Sequence, residues 1–220
     1  GSKLDAKGFK QAETALSKLN KTVKNAAGAI GIAYGARAIT QFGIASVKAF
    51  AEDDKAARVL GKTLDNLGLG FGNNAEAVNN YISKLEQQTG VLDDELRPAM
   101  DRLLRATGDI TKSQELLSLA LNISAGTGKT MTQVSQSLQK AYLGQTQALG
   151  RLGVGLSKAE LTSSSFEEIQ ARLSELFAGQ ATEAANTYSG SLNKLAVASN
   201  NAKEAIGRGL VDALSVLGGG

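Results

Sequence analysis

The sequence predicts an all-α protein, and three observations carry that prediction. Ala, Leu, Gly, Ser, Gln and Lys dominate, while aromatic residues make up 5% and Trp is absent; small and straight side chains of this kind favour helices over sheets. Apolar residues recur at spacings of three and four through almost every segment, and no stretch alternates strongly enough to predict a strand. With 25 Gly against a single Pro, the breaks between helices fall mostly to Gly at helix ends. The organisation that follows is a central bundle of short helices at 73–180. Long helices at 1–72 and 181–220 flank it, able to form coiled-coil or oligomer contacts.

The first element predicted is a helix over Leu4–Asn25, with Phe9, Leu16, Leu19 and Val23 on one apolar stripe suited to a coiled-coil seam or to docking on a neighbour. Six Lys against Asp5 and Glu13 give residues 1–25 a charge of +4, and the rest of the chain is near neutral. A basic helix of this kind can meet nucleic acid, an anionic membrane or an acidic protein surface, and otherwise serves as a solvated face. Residues 26–36, "AAGAIGIAYGA", are apolar and Gly-rich, with Gly31 and Gly35 at the spacing that lets two helices approach closely. The stretch is too short to span a bilayer. A second long helix continues from Arg37 through Ile39, Phe42, Val47, Phe50, Ala57, Leu60, Leu64 and Leu67, with Glu52, Asp53, Asp54, Lys55 and Arg58 on its expected wet side. "LGLGFGNN", residues 67–74, then breaks the chain.

In the central region Asn74 is expected to cap a helix bearing Val78, Tyr81, Ile82 and Leu85, closed by Gly90. The next helix takes Pro98 in its first turn, points Met100, Leu103 and Leu104 inward and ends at Gly108. Thr111 with Gln114 reads as a capping box for a helix whose Leu116, Leu117, Leu119, Ala120, Leu121 and Ile123 nearly surround the axis, the pattern of the most deeply buried element. Thr130 and Gln133 open a helix with Met131, Val134, Leu138, Ala141 and Tyr142 on one face. Residues 143–157 read as two tight Gly-punctuated turns, and Ser165 with Glu168 caps a helix bearing Phe166, Ile169, Leu173, Leu176 and Phe177. The last pattern, 181–217, places Leu192, Leu195, Ala202, Ile206, Leu210, Leu214 and Leu217 on the stripe of one long helix.

The chemistry available is narrow. The absence of Cys removes disulfides and thiolates, and the absence of His removes the usual triads and zinc sites. "SAGTGKT", residues 124–130, ends like a phosphate-binding loop, but the motif requires Gly where Ile123 stands and a buried strand where a Leu-rich helical pattern lies. Helix closure by Gly126 or Gly128, followed by a cap at Thr130 and an exposed Lys129, accounts for the letters. Asp53-Asp54, Asp93-Asp94-Glu95 and Glu167-Glu168 are the remaining acid/base candidates. Neighbouring carboxylates on a helix diverge, and negative charge at a helix start is stabilising without any catalytic role. Ser163-Ser164-Ser165 has no His to activate it. The sequence therefore predicts no enzyme: no catalytic, cofactor-binding or metal-ligating residues, and no cofactor. The N-terminal lysines with Phe9 among them are too little to predict sequence-specific nucleic-acid binding.

The stretch from Leu96 to Leu161 resembles the tape measure proteins of long-tailed bacteriophages. Their recurring pattern appears as Thr107-Gly108 closing one helix, an Ala/Leu-rich run through Ala120 to Ala125, the turn at Thr127-Gly128, Ala141 to Gly144, and the L-x-x-L-G-V of Leu149 to Val154. The resemblance is strongest over residues 75–162 and looser on either side. It implies a fragment of a long, helical structural protein held in several copies inside the tail tube, setting tail length during assembly and leaving ahead of the DNA. It also implies contacts with tail tube and tail tip proteins, tail assembly chaperones and the host membrane, and a place in the virion tail after assembly in the host cytoplasm. The alternative raised by the Gly-rich apolar stretch is a membrane-active or pore-forming helical module.

Overall fold

In a computed structural model that describes residues 36–70 and 73–218, α1 spans Ala36–Asn66, α2 Asn73–Thr89 and α3 Asp93–Thr107. Helices α4 (Ile110–Thr127) and α5 (Met131–Tyr142) follow, then a 3-10 helix at Thr146–Leu152. The short α6 (Lys158–Ser163), α7 (Phe166–Leu176) and α8 (Gln180–Ala185) lead into α9, Tyr188–Gly218. Among the described residues there is no strand, so the all-α expectation holds. The predicted helix over Leu4–Asn25 and the close-approach glycines Gly31 and Gly35 lie outside the described residues.

The chain divides into two compact units, one running Lys55–Ala198 and the other taking its described residues from 36–54 and 199–218. The larger unit is built around α4. Its Leu116, Leu117, Leu119, Ala120, Leu121 and Ile123 are all buried, because apolar residues on nearly every side of an axis can be satisfied only by surrounding it with partners. Helices α3, α5, α7 and α8 supply those partners. Leu60 and Leu64 of α1 join the same core with Val78, Ile82, Met100, Leu103, Leu104 and Leu138. Gly68 and Gly70 turn the chain from α1 to α2 within this unit.

Several helix ends differ from expectation for identifiable reasons. Asn74 lies inside α2, and its side-chain amide donates back to the Leu69 carbonyl instead of capping. Pro98 is the sixth residue of α3, because Asp93, Asp94 and Glu95 occupy the first turn, where carboxylates meet the positive end of the helix. The cap of α4 is Asp109 and not Thr111: its carboxylate accepts the Lys112 N–H at 2.7 Å. The left-handed turn at Gly108 delivers the chain directly to Asp109, an equally good cap, so Thr111 falls within the first turn. Residues 143–157 contain more than turns, since the 3-10 helix buries Leu149 and Leu152. Ser157 and Glu160 form a capping box for α6 that the sequence reading did not single out.

The last apolar pattern is two helices. The chain leaves α8 at Asn186, and the Thr187 hydroxyl accepts the Gly190 N–H at 3.0 Å, the bond of a new helix start. Gly190 is required there: a Cβ on it would lie 2.3 Å from the Ala184 carbonyl oxygen, so the backbones of α8 and α9 touch. In the second unit Gly207 plays the same part, its Cβ position lying 2.0 Å from the Ser46 carbonyl oxygen and 2.9 Å from Cβ of Phe50. Ser46 is fully buried at this crossing and Arg208 lies over the Phe50 ring at 5.5 Å. Asp53, expected on the wet side of α1, is buried.

Candidate interaction surfaces and the loop at Lys129

The loop from Ser124 to Thr130 is occupied by its own hydrogen bonds. Gly128, at φ +69°, donates to the Ser124 carbonyl at 2.9 Å, a left-handed closure that a side chain would strain. Lys129 N–H donates to the Thr127 hydroxyl at 3.3 Å, and Thr130 N–H to the Gln133 side chain at 3.1 Å. The Thr130 hydroxyl in turn accepts the Gln133 N–H, completing the expected capping box. A phosphate cradle needs successive backbone N–H groups aimed outward; here three in a row serve the turn between α4 and α5. Of the two glycines, Gly128 closes α4, while Gly126 makes room for the Phe177 ring, 2.6 Å from where its Cβ would stand.

The Glu167-Glu168 run is equally local. Glu168 accepts the Ser165 N–H at 2.8 Å in the third capping box, and Glu167 is exposed beside it. Asp93 is buried against Arg97, Oδ2 to Nη1 at 2.9 Å, with the Arg97 Nε–H reaching Asn79 Oδ1 at 3.4 Å. Its own backbone N–H donates to buried Glu86 at 3.1 Å. Burial pushes the Asp93 carboxyl above the ordinary carboxylate range, and the charge of Asp94 adds to the effect. Glu160 shifts the other way, held low by the backbone N–H and hydroxyl of Ser157 that it accepts or faces in its capping box. Ser163 donates its hydroxyl to the Ala159 carbonyl at 2.9 Å, an intrahelical bond.

Two kinds of surface remain. One is polar and concave: a cleft of about 660 Å³ between α5 and the 3-10 helix, and a smaller one of about 230 Å³ beside it, share Lys140, Ala148 and Arg151 in their walls. The other is apolar and lies along α9. Tyr188 is 82% exposed, Leu195 68%, Leu192 49% and Ile206 39%. These belong to a run of exposed positions, Tyr188, Leu192, Leu195, Ser199, Ala202, Ile206, Gly209 and Ala213, spaced alternately by four and three. Leu210, expected on the same stripe, is buried, and so is Val197. No described helix is long and apolar enough to cross a membrane.

No family model matches the chain, and neither a curated protein nor a solved structure matches it.

Proposed function

We propose that this chain is a structural segment of a phage tail tape measure protein, acting in tail length determination, tail assembly and DNA delivery by extension and packing, without catalysis. The observation that carries the reading is the row of exposed apolar side chains at the start of α9, Tyr188, Leu192 and Leu195, spaced by four and three. A 4-3 repeat of apolar and small residues sustained along one helix matches a partner helix with the same repeat. The natural partner in this reading is a further copy of the chain, with tail tube and tail tip proteins and assembly chaperones meeting it during assembly in the host cytoplasm. The Leu/Ala-rich core of Lys55–Ala198 and the closed turn at Lys129 support a role in scaffolding over one in turnover.

Two measurements test this. Light scattering of the chain is expected to show a stable oligomer that Leu192→Lys with Leu195→Lys reduces to monomer. In the tail-assembling system, in-frame removal of residues 75–162 from the encoding protein is expected to shorten tails by about 130 Å if that segment is extended as helix at ~1.5 Å per residue. Tails of unchanged length end the reading. Release of vesicle contents that depends on residues 26–36 would move it to the membrane-active class.

A further inference from the structure

The lysine that ends the false phosphate-binding motif belongs to a different arrangement. Lys129, Gln133, Gln136 and Lys140 follow one another at spacings of four, three and four, so they line one face of α5 and the turn before it. The smaller cleft takes in all four, together with Arg151 of the 3-10 helix; the larger continues from Lys140 and Arg151 past Gln145, Thr146 and Gln147. Among the described residues no carboxylate lines either cleft, and the Lys129, Lys140 and Arg151 side chains form no ion pair. All three cations are exposed. Lys140 lies nine residues beyond Met131, the first residue of α5, about 14 Å along the axis at ~1.5 Å per residue, and Lys129 stands in the turn before that helix.

We propose that this groove binds the phosphodiester backbone of nucleic acid, independently of sequence. The argument is one of matching. The three cations Lys129, Lys140 and Arg151 can each meet a phosphate of a polyanionic backbone. The walls between the cations are amides and hydroxyls, the neutral donors that contact phosphate oxygens. No aromatic side chain lines the groove, so it offers no platform for stacked bases and nothing that reads sequence. An amphipathic peptide would need apolar pockets, and only Ala148 and the buried Leu152 are apolar there. A bilayer surface is met by an apolar or convex face, and this one is polar and concave. The proposal does not rest on the tail reading.

The test is fluorescence anisotropy of a labelled random-sequence duplex, and of a single strand of equal length, titrated with the full chain between 20 and 200 mM salt. Because the N-terminal lysines also attract polyanions, the comparison is made in a background in which Lys3, Lys7, Lys10, Lys18, Lys21 and Lys24 are all replaced by Gln. Each phosphate neutralised on duplex DNA contributes about 0.9 to the slope of log affinity against log salt, so Lys129→Gln with Lys140→Gln and Arg151→Gln is expected to flatten the slope by about 2.7. Equivalently, the unmodified groove loses about 40-fold more affinity than the triple variant between 50 and 200 mM salt. Single Lys140→Gln is expected to take about a third of the slope change, and circular dichroism checks that each variant is folded. An unchanged slope, or no binding at 20 mM salt, overturns the proposal. So does binding of ATP, an acidic peptide or anionic vesicles that is lost in the triple variant while duplex binding is not.

Discussion

Helices α4 and α9 are both rich in apolar residues, yet one hides nearly all of them and the other shows most. In α4 the six apolar positions from Leu116 to Ile123 are buried, whereas Tyr188, Leu192, Leu195 and Ile206 of α9 stand in solvent. The difference lies in how the apolar residues are distributed around the axis. A helix greasy on all sides has to be surrounded, and its own chain supplies the neighbours; one with a narrow 4-3 stripe is left with a seam that a single partner helix can cover. Apolar content alone therefore does not separate a core element from an interaction element. Width of the apolar arc does.

The sharpest way to break that comparison is to truncate one leucine on each helix. Leu117→Ala on α4, where the side chain is wholly buried, is expected to cost about 3 kcal/mol of folding stability from lost burial and the cavity left behind. Leu195→Ala on α9 is expected to change monomer stability by less than about 0.5 kcal/mol, while weakening self-association. Urea unfolding monitored by circular dichroism reads the first, and light scattering reads the second. Equal stability losses at the two positions would mean that the α9 stripe is already packed.

The packed unit also seals charge, and this gives a pH-dependent effect of similar size. Arg97→Met leaves the Asp93 carboxylate buried without the cation 2.9 Å away, at a cost of about 3 kcal/mol near neutrality. The sign follows from the direction of the shift. The Asp93 carboxyl already titrates above its unfolded value of about 3.9, so the folded state holds its proton more tightly, and removal of Arg97 extends that trend. The deficit of the variant is then full above its own, higher folded-state pKa, shrinks as pH falls from there towards the wild-type folded-state pKa, and is smallest below that. Melting curves across pH 3 to 8 check it; a deficit independent of pH would place the cost in lost packing of the arginine stem.

Along α9 itself, two glycines separate the covered side from the open one. Gly190→Ala drives a methyl group into the Ala184 carbonyl and is expected to cost about 2 kcal/mol. At Gly209, nothing lies within 4 Å of the added atom, and alanine should stabilise the helix by up to about 1 kcal/mol. Opposite signs from the same chemical change, measured by thermal unfolding, would confirm that the two faces differ in what they touch.

Much of this architecture was legible in the letters, and the residues show why. Core positions from Val78 through Leu173 repeat at helical spacing, and Gly90, Gly108 and Gly128 stand where helices stop, because burial period and left-handed closure are both local properties of the chain. The 3-10 segment was not legible: Thr146–Leu152 is too short to show a period, although it buries two leucines. The basic groove depends on that segment, since Lys129, Lys140 and Arg151 are eleven residues apart in sequence and become neighbours only when the 3-10 helix folds back on α5. Which side of α9 is covered was hidden for a related reason. Gly190 and Gly207 let backbones touch, and a hydrophobicity pattern gives glycine no weight.

The smallest effect tests the finest local inference. Thr130 and Thr111 each precede a Gln by three residues, so both satisfy the template of a capping box. The Thr130 hydroxyl accepts the Gln133 N–H at 3.2 Å, whereas the corresponding service at α4 is performed by Asp109. Thr130→Ala is expected to cost about 1 kcal/mol, and Thr111→Ala close to nothing, with Asp109→Ala recovering the cost of about 1 kcal/mol at that helix. Loss of stability at Thr111 equal to that at Thr130 would mean that α4 starts later than Ile110, with Gly108 and Asp109 both outside it. Agreement would show that when a left-handed glycine immediately precedes a competent cap, the chain takes the first cap it meets and leaves the later one in the helix.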